Sequence, residues 1–363
     1  MTDMDATEDS SAPSSERRPS IKDVAVLAGV SWRTVSNVIH GHRYLRPETK
    51  EKVEAAIKEL GYRPRVAARQ LRGGKSQLLT LAVPYIANPY FASLAHAVVE
   101  AAGRENYVVL IDETLGLPER EKQVARGYGS ILTDGIIFSP LSVPVGVLAS
   151  LRDSTPLVLL GQHTANPDID HVIVDNVAST RAATEHVLSL GRRRVGFLGY
   201  LAEGTLGTGD LRFAGYEQAL QSAGIPVDPA LIIGPASVAA GGDAITAEGD
   251  YSREEGFARA EHLIPRIHEF DAIVCANDLL AIGLMHALRL HGIRIPEDIA
   301  VIGWDDSPEG SFTAPTLSTI APDLRSIATL AVETLLDRME KPARDVVGLT
   351  APHRLIVRGS TAG

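Results

Sequence analysis

The sequence predicts a small all-α helix-turn-helix unit followed by an α/β domain of two doubly wound parallel-sheet subdomains with a cleft between them. Two observations lead to this prediction. Residues 21–41 read IKDVAVLAGVSWRTVSNVIHG, in which apolar residues at helical spacing lie on both sides of Gly29. From Ser76 onward, short apolar runs alternate with amphipathic stretches, a pattern typical of parallel strands joined by helical crossovers.

Residues 20–62 have the spacing of a DNA-binding helix-turn-helix. Ala25 lets two helices cross closely, Gly29 makes the turn, and Val35 seals the second helix against the first. Ser31 follows the turn and is predicted to cap the second helix. The outer side of that helix is predicted to carry residue types that read base edges and phosphates in a major groove. These outward residues are Trp32, Arg33, Ser36 and Asn37.

A third helix and a basic segment follow. Pro47 is predicted to begin a helix that runs to about Leu60 and ends at Gly61. Because Arg46 offers no side-chain acceptor, the N-terminal cap of this helix is expected to be weak. Residues 63–75, which include RPRVAARQLR, are predicted to form a hinge helix or linker.

Charge is distributed unevenly along the chain, whose net charge is −10. Residues 1–16 carry −5, residues 17–76 carry +9, and residues 77–363 carry −14. A basic block joined to an acidic body predicts a small DNA-binding unit fused to a larger domain with another task. Residues 1–19 are acidic and lack an apolar core, so they are predicted to be a disordered tail and not a secretory signal.

The remaining composition limits the class of protein. Cys275 is the only cysteine, which excludes a disulfide scaffold and cysteine-cluster metal sites. No apolar run approaches the ~18 residues of a membrane span. We therefore expect a cytoplasmic protein with no membrane partner, no metal and no cofactor.

The α/β domain is predicted from eight apolar runs between residues 78 and 302 that alternate with helical patterns. So many elements are too many for one small sheet, whereas two doubly wound halves accommodate them. In such sheets ligands bind beyond the carboxyl ends of the strands, and a cleft between the halves is the expected binding site.

Several ordered motifs resemble the lac-repressor-like (LacI/GalR) family of transcription regulators. They include the segment from Ile21 to Arg72, DGIIFSP, AIVCANDLLAIGLMHALRLHGIRIPEDIAVIGWDD and the closing RLIVRGSTAG. The resemblance implies that residues 76–363 form an effector-binding and dimerisation domain similar to periplasmic sugar-binding proteins. Its N-subdomain is expected at about 76–176 and 322–346, and its C-subdomain at about 177–321 and 347–363.

The resemblance also implies a homodimer that binds a pseudo-palindromic double-stranded DNA operator and is therefore associated with the bacterial nucleoid. Trp32, Arg33 and Asn37 are expected to discriminate bases, and the family pattern places Leu71 as a wedge in the minor groove beside its dimer mate. The full set of expected DNA contacts is Lys22, Ser31, Trp32, Arg33, Thr34, Ser36, Asn37, Arg65, Ala68 and Leu71.

A cleft for a sugar needs polar groups that hold paired hydroxyls and aromatic faces that stack on C–H surfaces. The resemblance places an effector-binding arginine at Arg212 and an effector-binding aspartate at Asp305, with an aromatic wall from Trp304 or Tyr251. The full expected set is Tyr85, Asn88, Phe91, Arg212, Tyr251, Asn277, Trp304 and Asp305. Asn88 suits a turn or helix cap as well as a ligand contact, and capping of the loops after their strands is the alternative role for Asn277 and Asp305. Asp175 and Asn176 are expected to cap the helix that follows them.

Other functions remain as alternatives. The chain has no GxGxxG after its first strand, no GxxxxGK[ST], no HExxH and no GxSxG, so an enzyme is not expected and no catalytic residue is assigned. A free-standing solute-binding protein would lack the helix-turn-helix unit. A regulator of the same fold that responds to a purine or nucleoside is the main alternative to a sugar-responsive one, because nucleobases also stack on aromatic rings. Whether the effector releases DNA or promotes its binding is left open.

Overall fold

The computed structural model describes residues 19–39, 45–62, 75–129, 133–161, 168–199, 207–234 and 251–362. The chain divides between Ser76 and Gln77 into two compact units. Most of the predicted tail and hinge, at residues 1–18 and 63–74, lies outside the described residues.

The first described unit consists of helices that begin and end near the predicted positions. They are α1 (Ile21–Leu27), α2 (Trp32–Ile39) and α3 (Pro47–Leu60). Ser20 begins α1 with a capping box, in which the Asp23 carboxylate accepts a hydrogen bond from the Ser20 N–H at 2.7 Å. Gly29, in the turn, has a φ of 65°, a conformation that glycine adopts at little cost. The core of the unit comprises Val24, Ala25, Val35, Val38, Val53 and Ala56.

The ends of α3 agree with the sequence prediction. Arg46 precedes the helix and makes no side-chain capping bond, while Pro47 occupies the first turn. Gly61 ends the helix with a φ of 59°, in the left-handed conformation common at helix C-termini.

The second unit alternates strands and helices. Its strands are β1 (Leu78–Val83), β2 (Val108–Glu113), β3 (Gly135–Phe138), β4 (Leu157–Leu160), β5 (Asp170–Val174), β6 (Val195–Leu198), β7 (Ile232–Ile233), β8 (Ala272–Cys275), β9 (Ala300–Trp304), β10 (Ser318–Pro322), β11 (Gly348–Ala351) and β12 (His353–Ile356). Its α-helices are α4 (Pro89–Arg104), α5 (Pro118–Ala125), α6 (Val145–Leu151), α7 (Asn176–Ser189), α8 (Thr208–Ser222), α9 (Arg253–Leu263), α10 (Asp278–Leu290) and α11 (Leu324–Glu340).

The strands form two six-stranded sheets. The first sheet has the order β11-β5-β4-β3-β1-β2, and all its pairs are parallel. The second has the order β12-β10-β9-β8-β6-β7 and is parallel except that β12 runs antiparallel to β10. The predicted class of two doubly wound subdomains is confirmed, with one antiparallel edge strand added.

The chain passes between the two sheets three times, and the last passage differs from the prediction. It lies at Pro352, because β11 pairs with β5 in the first sheet and β12 with β10 in the second. Residues 348–351 were expected in the C-subdomain and instead belong to the N-subdomain. The residue just before β11 is fixed by Asp170 at the start of β5, which accepts a hydrogen bond from the Val347 N–H at 2.8 Å.

Close packing of α7 on α8 determines the positions of the site residues that these two helices carry. A Cβ added to Gly215 of α8 would overlap the backbone oxygen of Val177 and lie 2.9 Å from the nitrogen of Arg181, both on α7. The absence of a side chain at Gly215 therefore lets the two helices touch. Among the described helices, none is long and apolar enough to span a membrane.

Candidate DNA-binding surface and effector cleft

The outer side of α2 presents the first group of predicted site residues. The hydroxyl of Ser31 accepts a hydrogen bond from the N–H of Thr34 at 3.1 Å, which caps the helix as predicted. Trp32, Arg33 and Asn37 are exposed, and the Arg33 guanidinium lies 5.6 Å from the centre of the Trp32 ring. One short helix thus presents donors, an acceptor and an aromatic face to its surroundings.

The structure corrects the predicted position of Ser36, which is only 7% exposed. With 3.6 residues per turn, Ser36 lies about 60° around the helix from Ile39, a residue of the apolar face, so it is drawn to the flank of the core. Lys22 is exposed on α1. The other predicted DNA contacts, Arg65, Ala68 and Leu71, lie outside the described residues.

The predicted effector residues of the second unit lie at the carboxyl ends of its strands. Asn277 follows β8 and Asp305 follows β9, both in the second sheet. Phe91 is in the first turn of α4, which follows β1 of the first sheet. Tyr90, at the start of α4, is close enough to Arg212 and Asp305 for their charges to act on its phenol.

Arg212 of α8 is held from three sides. Its Nε donates to the Oδ1 of Asn176 at 3.0 Å, and its Nη1 donates to the backbone oxygen of Ala276. The guanidinium carbon lies 3.5 Å from the centre of the Trp304 ring, a cation–π contact in a desolvated place. These contacts fix the plane of the guanidinium and direct Nη2 toward Asp305.

Asp305 faces that nitrogen. Its Oδ1 lies 3.9 Å from the Nη2 of Arg212, which is too long for a hydrogen bond. Its φ of 120° is rare for a residue with a side chain, and its N–H donates to the backbone oxygen of Ile320 at 2.9 Å. Burial raises the pKa of Asp305 to about 7, against the lowering effect of Arg212.

A second carboxylate, that of Asp278, is close enough to Asp305 for the two charges to interact. Asp278, the first residue of α10, is completely buried, and its Oδ1 accepts a hydrogen bond from Thr319 Oγ1 at 2.7 Å. Its Oδ2 accepts from the N–H of Ser307 at 2.7 Å and from the Ser307 hydroxyl at 3.2 Å. Burial, followed by the charge of Asp305, raises the pKa of Asp278 to about 8, although these hydrogen bonds act in the opposite direction.

Aromatic rings border this polar pair. Tyr90 and Phe91 form an edge-to-face pair with ring centres 5.1 Å apart. Burial, with a contribution from Asp305, raises the pKa of Tyr90 above its ordinary value, so that its phenol stays protonated near neutral pH. Tyr251 donates its hydroxyl hydrogen to the backbone oxygen of Gly199 at 3.0 Å, which fixes its ring.

Of the two residues predicted to form the aromatic wall, Trp304 or Tyr251, the structure favours Tyr251, which is partly exposed. Trp304 is 3% exposed, and its ring nitrogen donates to Ser179 Oγ at 3.0 Å. The guanidinium of Arg212 covers one ring face. Trp304 supports the arginine. The other aromatic rings near Arg212 are those of Tyr90 and Tyr251, and Phe91 packs against Tyr90.

The two asparagines of the predicted set act as helix caps. Asn277 Oδ1 accepts from the N–H of Leu280 at 2.9 Å, and its Nδ2 donates to the backbone oxygen of Tyr251 at 3.0 Å. Asn88 Oδ1 accepts from the N–H of Tyr90 at 3.0 Å. The side-chain amide of Asn277 is therefore engaged within the protein, where it holds the backbone of Tyr251 in place.

Tyr85 is half-exposed and donates its hydroxyl hydrogen to the backbone oxygen of Leu115 at 3.2 Å. Sequence reasoning missed Tyr90, Asn176 and Asp278. The available signals were the position of Tyr90 beside Phe91 and the position of Asp278 directly after Asn277.

The residues around Arg212 and Asp305 offer binding groups. A guanidinium with a directed Nη2, a carboxylate that accepts hydrogen bonds, and aromatic rings are the groups that hold a small polar molecule. In the part of the chain that the structure describes, no three histidine, cysteine or acidic residues are grouped so that they could hold a metal ion.

Two family models match the chain. Residues 20–65 match the bacterial regulatory proteins of the lacI family, and residues 184–361 match a periplasmic binding protein-like domain. DegA, an HTH-type transcriptional regulator of Bacillus subtilis (strain 168), is 30% identical over 355 residues, which cover 95% of this chain and 98% of DegA. PurR, an HTH-type transcriptional repressor of Haemophilus influenzae (strain PittEE), is 31% identical over 325 residues, covering 88% of this chain and 90% of PurR.

Solved structures agree in fold. A regulator of the LacI family from Sanguibacter keddieii is 38% identical with a TM-score of 0.70, covering 80% of this chain and all of that one. The lac repressor dimer bound to operator and the anti-inducer ONPF is 26% identical with a TM-score of 0.82, covering 96% and 100%. The complex of the regulator CelR with cellobiose is 27% identical with a TM-score of 0.67, covering 94% and 100%. The chain thus belongs to the lacI family of bacterial regulatory proteins.

Proposed function

We propose that the protein is a transcriptional repressor that binds a DNA operator through its first unit and a small sugar or sugar-like polyol through its second. Effector binding changes operator affinity. A regulator of this kind acts at the chromosome, in the bacterial cytoplasm. Family membership, the basic charge of residues 17–76 and the exposed side chains of α2 support the DNA-binding part of the proposal.

The geometry of Arg212 and Asp305 supports the proposal that the second unit binds an effector. The 3.9 Å between Nη2 and Oδ1 leaves a donor and an acceptor that do not satisfy each other. A hydroxyl group can accept from one and donate to the other at the same time. The rings of Tyr90 and Phe91 offer apolar surface to the C–H faces of a sugar ring.

A nucleobase effector is the second candidate. The Tyr90–Phe91 pair would also stack on a purine, and PurR of Haemophilus influenzae is among the relatives. A purine has acceptors at its ring nitrogens and carbonyl and donors at its N–H groups, so it can use both Arg212 and Asp305, as a sugar can. A direct comparison of sugars with nucleosides as ligands therefore separates the two candidates.

We propose a homodimer as the functional form. Strand β2 is an edge strand, and Val108, Leu110 and Ile111 along it are exposed. Exposed apolar edges are usually covered by another chain or element. Two first units in a dimer would reach two half-sites of a pseudo-palindromic operator, and the two subdomains of each protomer provide a cleft whose closure can bias that reach.

Two experiments test the proposal. Selection from random DNA with the purified full chain should return a pseudo-palindromic sequence. A thermal-shift screen against sugars, nucleosides and organic acids should find a sugar that raises the melting temperature, because a ligand specific to the native state stabilises it. Failure to enrich any sequence would overturn the DNA-binding part, and a screen in which only nucleobases bind would overturn the sugar assignment.

A further inference from the structure

The closing motif RLIVRGSTAG, residues 354–363, has no role in the binding site described so far. Its Arg358 lies beside residues 305–307, the loop after β9, which begins with the effector aspartate. The Nη2 of Arg358 donates a hydrogen bond to the Oδ1 of Asp306 at 2.6 Å, and its Nη1 donates to the backbone oxygen of Leu317 at 2.9 Å. One guanidinium therefore joins the loop after β9 to the segment that leads into β10.

The backbone of this loop has an unusual conformation at two successive residues. Asp305 has a φ of 120° and Asp306 has a φ of 53°, both in the region that residues with a side chain rarely adopt. Such a conformation persists only where the surrounding structure holds it, and it is frequent at ligand-binding sites. The contacts that hold these two residues are therefore the contacts that set the direction of the Asp305 carboxylate.

Two hydrogen bonds from β10 hold the backbone of the loop. The N–H of Asp305 donates to the backbone oxygen of Ile320 at 2.9 Å, and the N–H of Asp306 donates to Thr319 Oγ1 at 3.3 Å. These bonds leave the Asp306 side chain to be held separately. In the part of the chain that the structure describes, Arg358 is the residue whose side chain binds the Asp306 carboxylate.

Arg358 is itself fixed by the start of β10. Its N–H donates to Ser318 Oγ at 2.8 Å. The N–H of Ser318 donates to Ser360 Oγ at 2.8 Å, and the Ser360 hydroxyl donates to the backbone oxygen of Val301 at 2.6 Å. Both side chains of the ion pair between Arg358 and Asp306 are mostly buried, so salt and water weaken it less than they weaken a surface ion pair.

We propose that Arg358 is a positioning residue of the effector site: by holding Asp306 it keeps the loop after β9 in the conformation that directs the Asp305 carboxylate toward the guanidinium on α8. Without the ion pair, the loop backbone can relax to a negative φ, which would turn that carboxylate away from the Nη2 of Arg212. The effect on a ligand rests on the proposed function. The effect on the loop rests on the geometry alone.

Hydrogen exchange measures the effect on the loop without any ligand. The N–H groups of Asp305 and Asp306 exchange only when their hydrogen bonds to β10 open. In the full chain with Arg358→Ala, mass spectrometry of a peptide that covers residues 304–307 should show exchange about 10-fold faster than in wild type. Arg358→Lys should recover part of the protection, because an ammonium group can still bind the Asp306 carboxylate but lacks the fork that also reaches Leu317.

Arg338→Ala is the matched control for a general loss of stability. Arg338 also forms a mostly buried ion pair, with Asp170 at 2.8 Å, and it lies on α11, which packs on the first sheet. Its loss should leave exchange in the loop after β9 as it is in wild type. Exchange that is unchanged in Arg358→Ala, or accelerated equally in both variants, would overturn the proposal.

A second variant covers the case in which Arg358→Ala does not fold. Asp306→Gly removes the same ion pair, and glycine adopts a positive φ at little cost, so the fold is not strained by the change. Exchange in the loop should again be faster than in wild type. Wild-type protection of the loop in Asp306→Gly would overturn the role of the ion pair.

Titration with glucose, cellobiose and inosine tests the effect on a ligand. A probe that binds wild type should bind Arg358→Ala roughly 5-fold more weakly or worse, Arg358→Lys with intermediate affinity, and Arg338→Ala as it binds wild type. Equal affinity for wild type and Arg358→Ala, with a loosened loop, would overturn the link to the effector. If none of the three probes binds wild type, that failure belongs to the proposed effector class, and hydrogen exchange alone decides the role of Arg358.

Discussion

Asn176, the first residue of α7, accepts a hydrogen bond from the Nε of Arg212 on α8 at 3.0 Å. Asn176 also donates from its Nδ2 to the backbone oxygen of Val174 at 3.1 Å, so its amide cannot rotate freely. The end of β5 in the first sheet thereby determines the orientation of a guanidinium in the second subdomain. The hydrogen bond between Asn176 and Arg212 therefore links the cleft to the segment in which the chain passes from the first sheet to the second.

Asn176→Ala should weaken effector binding about 5- to 30-fold, because a buried donor that loses its partner costs about 1–2 kcal/mol. Isothermal titration with the effector found in the screen measures this loss. Asp175→Asn is the control: Asp175 caps α7 through Ala178 and does not touch Arg212. Equal losses in the two variants would show that the helix end matters and the bond to Arg212 does not.

Arg33→Ala should change the preference at one base pair of the operator by about 1–3 kcal/mol, since Arg33 is exposed on the outer side of α2. Sequencing of selected operators for wild type and variant reveals the change. Lys22→Ala is the comparison, because the loss of an exposed lysine that contacts a phosphate weakens binding to all sequences alike. The same sequence preference in Arg33→Ala and wild type would contradict the assignment.

Leu71→Ala should strongly weaken operator binding while effector affinity stays the same, because a wedged apolar side chain allows the bent DNA to make further contacts. This expectation comes from the family resemblance. Binding measured at one fixed salt concentration tests it, since phosphate contacts depend on salt. Unchanged operator affinity would rule out the wedge.

Asp170→Asn should destabilise the second unit by roughly 3 kcal/mol, because Asp170 is buried and binds the guanidinium groups of both Arg338 and Arg344. Hydrogen bonding to these arginines lowers the pKa of Asp170 despite its burial. The stability that it contributes is therefore present above the unfolded pKa near 4 and is lost as the pH falls further. Urea unfolding of wild type and variant at neutral and acidic pH measures both effects, and equal stabilities at neutral pH would contradict this role.

The sequence predicted most of the fold because most elements carry a strong local signal. All eight predicted apolar runs form strands, and helices such as α4 and α10 begin and end within about two residues of their glycine and cap signals. The strands β7, β10, β11 and β12 were not predicted, because two to five residues of mixed polarity have no period of their own. Their place is decided by partners distant in sequence, as when Gly348 pairs with His171.

The site was predicted only in part for the same reason. Arg212 and Asp305 could be named from motifs, and the structure brings them together. Asn176 has the local signal of a helix cap, and nothing in its neighbourhood along the chain indicates Arg212, 36 residues away. Conversely, Trp304 was one of the two aromatic residues expected to face the ligand, because it stands beside Asp305. Nothing near it in the sequence indicates that a guanidinium covers its ring.

We propose that Arg212 and Asp305 couple the binding of a small ligand to DNA binding. Operator affinity, measured with and without the effector for wild type, Arg212→Ala and Asp305→Asn, tests it most directly. We expect wild type to respond, neither variant to respond at effector concentrations that saturate wild type, and all three to bind the operator within a few-fold without effector. A full, saturable response in both variants would contradict the account.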